Sequence, residues 1–446
     1  SLCARLGKVA AAAYPPGSPM ATPSRAMSSR STSKKPSVVI DLGSAFIKCG
    51  FAGEAQPMHV IPSVIGDVAD GDNAEGRSAR TRDEWVELLA EVFSRLYTES
   101  LQCRPRERRV VVCEAMVSPR PLREAVAHIL FRYLQVPSLH MCAGPAPALY
   151  CTGLDTGIVV DVGAREAHVL AVYRGAPLTN SYAGVPLGCR AVQERVGELI
   201  AEEEAQAEGE GGGGQGGSQD GEGDRRRPLA HRELEDVVVR ACLVPVGGVP
   251  SAEQVSPMEF IFSGRRKVTA SSIVRTTAVQ EALFEGDDEG RTLATLVLDC
   301  LHRCPQDCRR ALVQNVVVAG GGALLPGLCA RLGEEIRALA LGPGDSGNQA
   351  AASGLGKSEG YAWARAVVSG QGGVEGEREG LCVTKVPVRR DALLWTGASI
   401  MACLAGLGDR SLTSEQYLAR EGGRLPDWLS VSPSDWLFEA APAAAV

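Results

Sequence analysis

The chain of 446 residues has no excess of basic residues: Lys and Arg total 46 against 53 Asp and Glu, a formal charge of −7. A general nucleic-acid binder carries the opposite sign, so nucleic acid is not expected as a partner. No stretch reads as a membrane span. Residues 392–408 carry no charge over 17 positions, yet they include Thr396, Ser399 and three glycines. A span needs about 20 apolar residues, so a buried core helix is expected there and no direct membrane insertion. The chain also lacks any CxxC pair. Its 14 cysteines are scattered singly, which suits reduced thiols better than a disulfide scaffold. Cys300, Cys304 and Cys308 recur every fourth residue, but Pro305 interrupts the helix that would align them. Buried thiols are expected rather than a zinc site. No repeat of fixed period is present.

Enough apolar material is present for a sizeable core: hydrophobic residues make up 45% and charged residues 22%. At roughly 100–200 residues per domain, the length allows two to four domains. The 51 glycines concentrate in two tracts, so they report linkers rather than the fold. Residues 201–227 (AEEEAQAEGEGGGGQGGSQDGEGDRRR) offer nothing to bury and are expected to form a flexible insert. A second soft insert covers 342–380, where only 361–368 (YAWARAVV) could hold local structure. Residues 1–36 contain no acid and six basic residues, a composition like that of a transit peptide. A disordered basic tail is expected there.

Between these tracts the pattern alternates. Residues 37–41 (SVVID) and 46–51 read as a strand–turn–strand hairpin. Residues 85–97 place Trp85, Leu88, Leu89, Val92, Phe93 and Leu96 at helical spacing. Strands are expected at 110–113, 158–161, 169–173 and 315–319, and helices at 120–134 and 293–301. Strands alternating with helices indicate an α/β protein.

Three strands end abruptly in glycine: VVIDLGSAFIK (38–48), IVVDVGAREAH (158–168) and VVVAGGGALLPG (316–327). The first two carry Asp two residues before the Gly. A phosphate needs backbone N–H groups aimed at it, and glycine lets the backbone approach closely. Two such turns facing each other could clamp a polyphosphate. Asp41 and Asp161 would hold a hydrated Mg²⁺, an ion that keeps its waters and takes few carboxylates. Lys48 would neutralise phosphate charge. One D-x-G strand end is an ordinary tight turn in many α/β proteins; two in series with a third Gly-rich turn are far more specific.

DLGSAFIKCGFAGE (41–54) resembles the first phosphate loop of actin and the actin-related proteins. IVVDVGAREAH is similar to their second phosphate loop and VVVAGGGALLPGLCARL (316–332) to their adenosine loop. RCPQDCRRALVQN (303–315), WTGASIMA (395–402) and SEQYLAREG (414–422) look like the family's last third. The resemblance implies an α/β, two-lobed, actin-like ATPase fold of the ribonuclease H-like type, with reduced small subdomains. The first lobe would cover 37–151, with a truncated subdomain near 67–82; the second would cover 152–384; and 385–446 would return to the first. Bound ATP or ADP with Mg²⁺ is implied. Phosphate contacts would fall to Gly43, Ser44, Ala45, Lys48, Asp161 and Gly163, nucleoside contacts to Gly320, Gly321, Gly322 and Leu324, and the metal to Asp41 and Asp161 through waters.

Within the family, IPSVIG (61–66), the short segment after it and LPDWLS (425–430) look most like the divergent subunit at the pointed end of dynactin. That likeness implies a structural, filament-capping role in the cytoplasm and cytoskeleton. Its partners would be the filament of actin-related protein 1 and the other pointed-end subunits, with dynein engaged indirectly. The alternatives are an active ATPase or kinase-type enzyme of the same fold, or a nuclear actin-related subunit of a chromatin remodeller. Departures from actin favour a non-enzyme. Gly144 stands where actin has the glutamine that positions the attacking water, and Ala164 where it has a second-loop aspartate. Val238 and Val239 replace the polar pair at the adenosine. His168 stands where actin has the histidine near the water.

Overall fold

The computed structural model describes residues 35–65, 80–210, 227–247, 255–262, 266–286, 289–341, 361, 363–370, 380–404, 407–408, 410–419 and 425. The tail at 1–34, most of the short segment at 67–82, the Gly-rich tracts at 211–226 and 342–360, and most of 425–430 lie outside them. The chain divides into two compact units, one up to Cys151 and again from Ala392, the other Thr152–Asp391.

The first unit is built on a six-stranded sheet. Strands β1 (Val38–Leu42), β4 (Val110–Glu114) and β5 (Ser138–Ala143) run parallel, while β2 (Phe46–Phe51) and β3 (His59–Pro62) fold back antiparallel. Side chains alternate between faces along each strand. Val38, Ile40 and Val112 therefore point to one core, where helix α1 (Arg82–Arg95) inserts Trp85, Leu89 and Phe93. Helix α1 starts where its sequence says it should: Thr81 caps the Glu84 N–H, and the Glu84 carboxylate reaches back to the Thr81 N–H. Helix α2 (Arg120–His128), with Pro121 in its first turn, lies beside α1. The opposite face carries Val39, Val111 and Cys113.

That opposite face is covered by the uncharged segment, which forms a helix at Leu393–Ala402 bearing the fully buried Trp395. The indole N–H of Trp395 donates to Val39 O at 3.0 Å. Ser399 hydroxyl donates to Glu54 O at 2.9 Å and accepts from Gly53 N–H at 3.0 Å. Two distant motifs, 41–54 and 395–402, are thus stitched together inside one unit. Among the described residues no helix is long and apolar enough to cross a membrane.

The second unit has β12 (Val316–Ala319), β6 (Gly157–Val162), β7 (Ala167–Tyr173) and β8 (Ala176–Pro177) in that order, with β9 (Ala183–Val185) also on β7, and a separate antiparallel pair of β10 (Met258–Ile261) and β11 (Lys267–Ala270). Its buried β-branched strands form one core with a helix at Leu293–Arg303 and another at Leu328–Leu341. A long helix runs Cys189–Glu210, ten residues into the tract read from sequence as flexible from 201. AEEEAQAE consists of good helix formers. Arg195 holds Glu198 at 2.9 Å and Glu202 at 3.1 Å along it, and Ser271 hydroxyl donates to Glu203. A short helix at Arg365–Ser369 lies within the second soft tract. Residues 382–390 stay with this unit rather than leaving at 385. Thr384 N–H donates to Val316 O at 2.8 Å, and Gly320 N–H to Arg390 O at 3.0 Å. Cys304 and Cys308 sit at the break between two helices, and their thiols donate to backbone carbonyls of Cys300 and Pro305. Among the described residues no group of three His, Cys, Asp or Glu side chains could hold a metal ion.

Candidate functional site

In the first unit, the β1–β2 register places Asp41 opposite Lys48. Directly opposed residues of an antiparallel pair share a face, so opposite charges meet. Lys48 Nζ lies 3.0 Å from Asp41 Oδ2, with side chains 17% and 10% exposed, a pair only partly shielded from solvent. Gly43, Ser44 and Ala45 form the turn between them, pinned where Ala45 O accepts from Ser63 N–H at 2.9 Å. Gly144 follows β5 with φ 71°, and its N–H donates to Glu114 O at 2.9 Å. A side chain at that left-handed φ is strained, so the backbone itself favours glycine here.

In the second unit, Asp161 lies opposite His168 on β7 and beside Ala319 on β12. The turn after β12 is pressed against it. Gly320 has φ 90°, and a Cβ there would fall 2.5 Å from Asp161 Oδ1 and 2.3 Å from Val162 O. No other residue fits. The second and third glycine turns are therefore one structure. Gly163 N–H closes the Asp161 turn on Glu166 O at 3.0 Å. Gly321 faces open space, Gly322 packs on Val162, and Leu324 is 46% exposed. Val238 and Val239 lie on a helix at His231–Ala241; Val238 is buried and Val239 exposed.

Sequence reasoning isolated His168 but missed its surroundings. Its ring is buried, Nδ1 lies 2.9 Å from Tyr182 Oη, and Nε2 lies 3.4 Å from Glu166 Oε1. Burial, with the charges of Glu166 and Asp161, pushes the Tyr182 phenol up to about 12. Glu114 was missed too. Burial drives its carboxyl from 4.5 up to about 7, against the pull of Arg123, whose Nε lies 2.8 Å away. That pair is close but not aligned, and Glu114 Oε1, Arg123 Nε and Arg123 Nη2 have no hydrogen bond. No motif marks Tyr182, Glu166, Glu114 or Arg123; only strand register and packing select them.

Residues 32–85, 82–208 and 257–424 match the Actin family. The chain belongs to the actin family. Actin-like protein 7A of Rattus norvegicus is 23% identical over 410 residues, 83% of this chain and 77% of that protein. Actin-like protein 7A of Mus musculus is 23% identical over 409 residues, with the same coverage. That of Macaca fascicularis is 23% identical over 400 residues, 83% of this chain and 78% of its own length. The fold is accordingly the α/β actin-like ATPase fold. Members of that family typically bind nucleotide with Mg²⁺. Asp41 in the first unit and Asp161 in the second each carry oxygen donors of the kind a hard cation takes, and within the second unit the 320–322 turn leaves backbone uncovered at Gly321.

Proposed function

We propose that the protein is a structural actin-family subunit that retains ATP or ADP with Mg²⁺ and hydrolyses it negligibly. Gly43, Ser44, Ala45, Lys48 and Gly163 would bind phosphate, Asp41 and Asp161 the metal's water shell, and Gly320, Gly321, Gly322 and Leu324 the nucleoside. The metal would supply charge neutralisation on the phosphates. The observation that carries the reading is Gly144: at φ 71° the chain has a side-chain-free residue where the family positions water. Phosphoryl transfer needs that water held in line and its proton accepted. Ala164, in place of an aspartate, weakens the same step. Chromatography of nucleotide released on denaturation tests retention, and its absence sinks the reading. Phosphate release at an actin-like rate would sink the claim of negligible hydrolysis.

The finer role is that of actin-related protein 10, at the pointed end of dynactin, capping the filament of actin-related protein 1. Residues 41–54, 61–66 and 425–430 support it, as does the shortness of 67–82, where the family inserts the subdomain gripped by the next subunit. A subunit lacking one of two complementary faces can dock without being docked upon. Electron microscopy of labelled protein with short filaments of actin-related protein 1 should place label at one end only. Label along the sides, at both ends or in self-polymers overturns capping. The 23% identity to actin-like protein 7A over 83% of the chain favours a second reading, an actin-like protein outside dynactin. Co-purification with dynein–dynactin supports the first; co-purification with chromatin, or with neither, removes it.

A further inference from the structure

His168 is held from three sides within the second unit. Tyr182 Oη lies 2.9 Å from Nδ1, and Glu166 Oε1 lies 3.4 Å from Nε2. The third element is a space. Gly184 stands opposite His168 in the β7–β9 register, and a Cβ there would come 3.3 Å from Tyr182 Oη and 3.5 Å from His168 Nδ1. Glycine at 184 leaves the room in which phenol and imidazole meet. The backbone of Tyr182 is itself anchored, its carbonyl accepting from Arg303 Nη1 at 2.7 Å and its N–H donating to Thr179 O at 3.1 Å.

These contacts specify a proton arrangement. Glu166 Oε1 faces Nε2, and a carboxylate can only accept, which favours hydrogen on that nitrogen. With the hydrogen on Nε2 the ring's lone pair lies on Nδ1, where the phenol can donate to it. We infer that Tyr182 is a positioning residue that holds His168 in the Nε2–H tautomer and occupies its basic nitrogen, so that His168 cannot accept a proton from water. The inference deepens the non-hydrolysing reading above and rests on it only in treating the Asp161 turn as the nucleotide site. The Tyr182–His168 contact is an observation independent of Gly144. The two lie in different units of the chain.

The test uses the full chain labelled with ¹⁵N in its six histidines, with His168 assigned by its loss in His168→Gln. At pH 8, long-range proton–nitrogen spectra should show Nε2 protonated and Nδ1 in the position of a hydrogen-bonded acceptor. Tyr182→Phe should move Nδ1 to the position of an unbonded nitrogen. It should also speed modification of His168 by diethyl pyrocarbonate severalfold. Gly184→Ala should shift Nδ1 in the same direction by crowding the phenol. A wild-type spectrum with Nδ1 protonated, or an Nδ1 signal unmoved in Tyr182→Phe, overturns the inference. If Tyr182→Phe does not fold, the wild-type spectrum and Gly184→Ala decide. The clamp is internal to the chain, so the spectra are expected to be alike in nucleotide-free and nucleotide-loaded protein. Lack of bound nucleotide would sink the functional reading while leaving this one standing.

Discussion

Gly320 controls the surroundings of Asp161 at the scale of one residue. Gly320→Ala puts a methyl group 2.3 Å from Val162 O at a φ of 90°. Strain at such a position costs on the order of 1–3 kcal/mol, and the clash adds to it. A fall in thermal midpoint is expected, together with loss of bound nucleotide in the purified protein. Glu114 makes a second prediction, about pH. Its folded-state value of about 7 lies above its ordinary 4.5, so its contribution to stability is present below 4.5 and is lost as pH rises through 7. The amount is on the order of 3–4 kcal/mol at one pKa unit per 1.4 kcal/mol. Chemical denaturation from pH 4.5 to 8 should show that loss in wild type and a flatter profile in Glu114→Gln. An unchanged slope in the variant would assign it to other groups.

At the scale of elements, the helix at Leu393–Ala402 is the piece whose sequence signal was most ambiguous and whose packing is most definite. Its uncharged length suits either a membrane or a core, and the indole bond to Val39 O makes it core. Trp395→Ala removes a fully buried side chain and should cost about 3–5 kcal/mol in denaturant unfolding. Trp395→Phe keeps most of the apolar volume but leaves Val39 O without the indole N–H, so it should fall between wild type and Ala. If Phe and Ala were equally destabilised, the indole hydrogen bond rather than packing would dominate. The helix at Cys189–Glu210 teaches the reverse lesson. Glu-rich sequence with nothing to bury was read as flexible, yet helix propensity and Arg195, which also pairs with Glu281, carry the backbone to Glu210.

For the molecule as a whole, the nucleotide proposed above should act as a stabilising ligand. A ligand bound only by the folded chain adds about 2.7 kcal/mol at a hundred times its Kd. Stripping nucleotide and Mg²⁺ should therefore lower the thermal midpoint by a few degrees, and adding both back should restore it. Lys48→Ala should shrink the difference between stripped and reloaded protein, because it removes the cation expected to meet phosphate while Asp41 stays in place. A midpoint indifferent to nucleotide in wild type would remove the structural role assigned to the ligand.

Much of the fold was legible because it depends on local pattern. The β-branched runs at 38–41, 110–113, 158–161 and 316–319 became buried strands where apolar continuity put them. The Asp and Gly closing 38–41 and 158–161, and the glycines after 316–319, marked the turns, since a backbone held close to a phosphate or a neighbouring strand tolerates little side chain. Cross-strand encounters were not legible. Asp41 meets Lys48 through hairpin register, Gly320 meets Asp161 because β12 lies parallel to β6, and His168 meets Tyr182 because β9 folds onto β7. The sequence by itself determined the α/β class, the glycine-ended strands and the loss of a side chain at 144. Only the tertiary structure decided which nitrogen of His168 is occupied and which carboxyl is buried, because these depend on distances between segments that no local periodicity encodes.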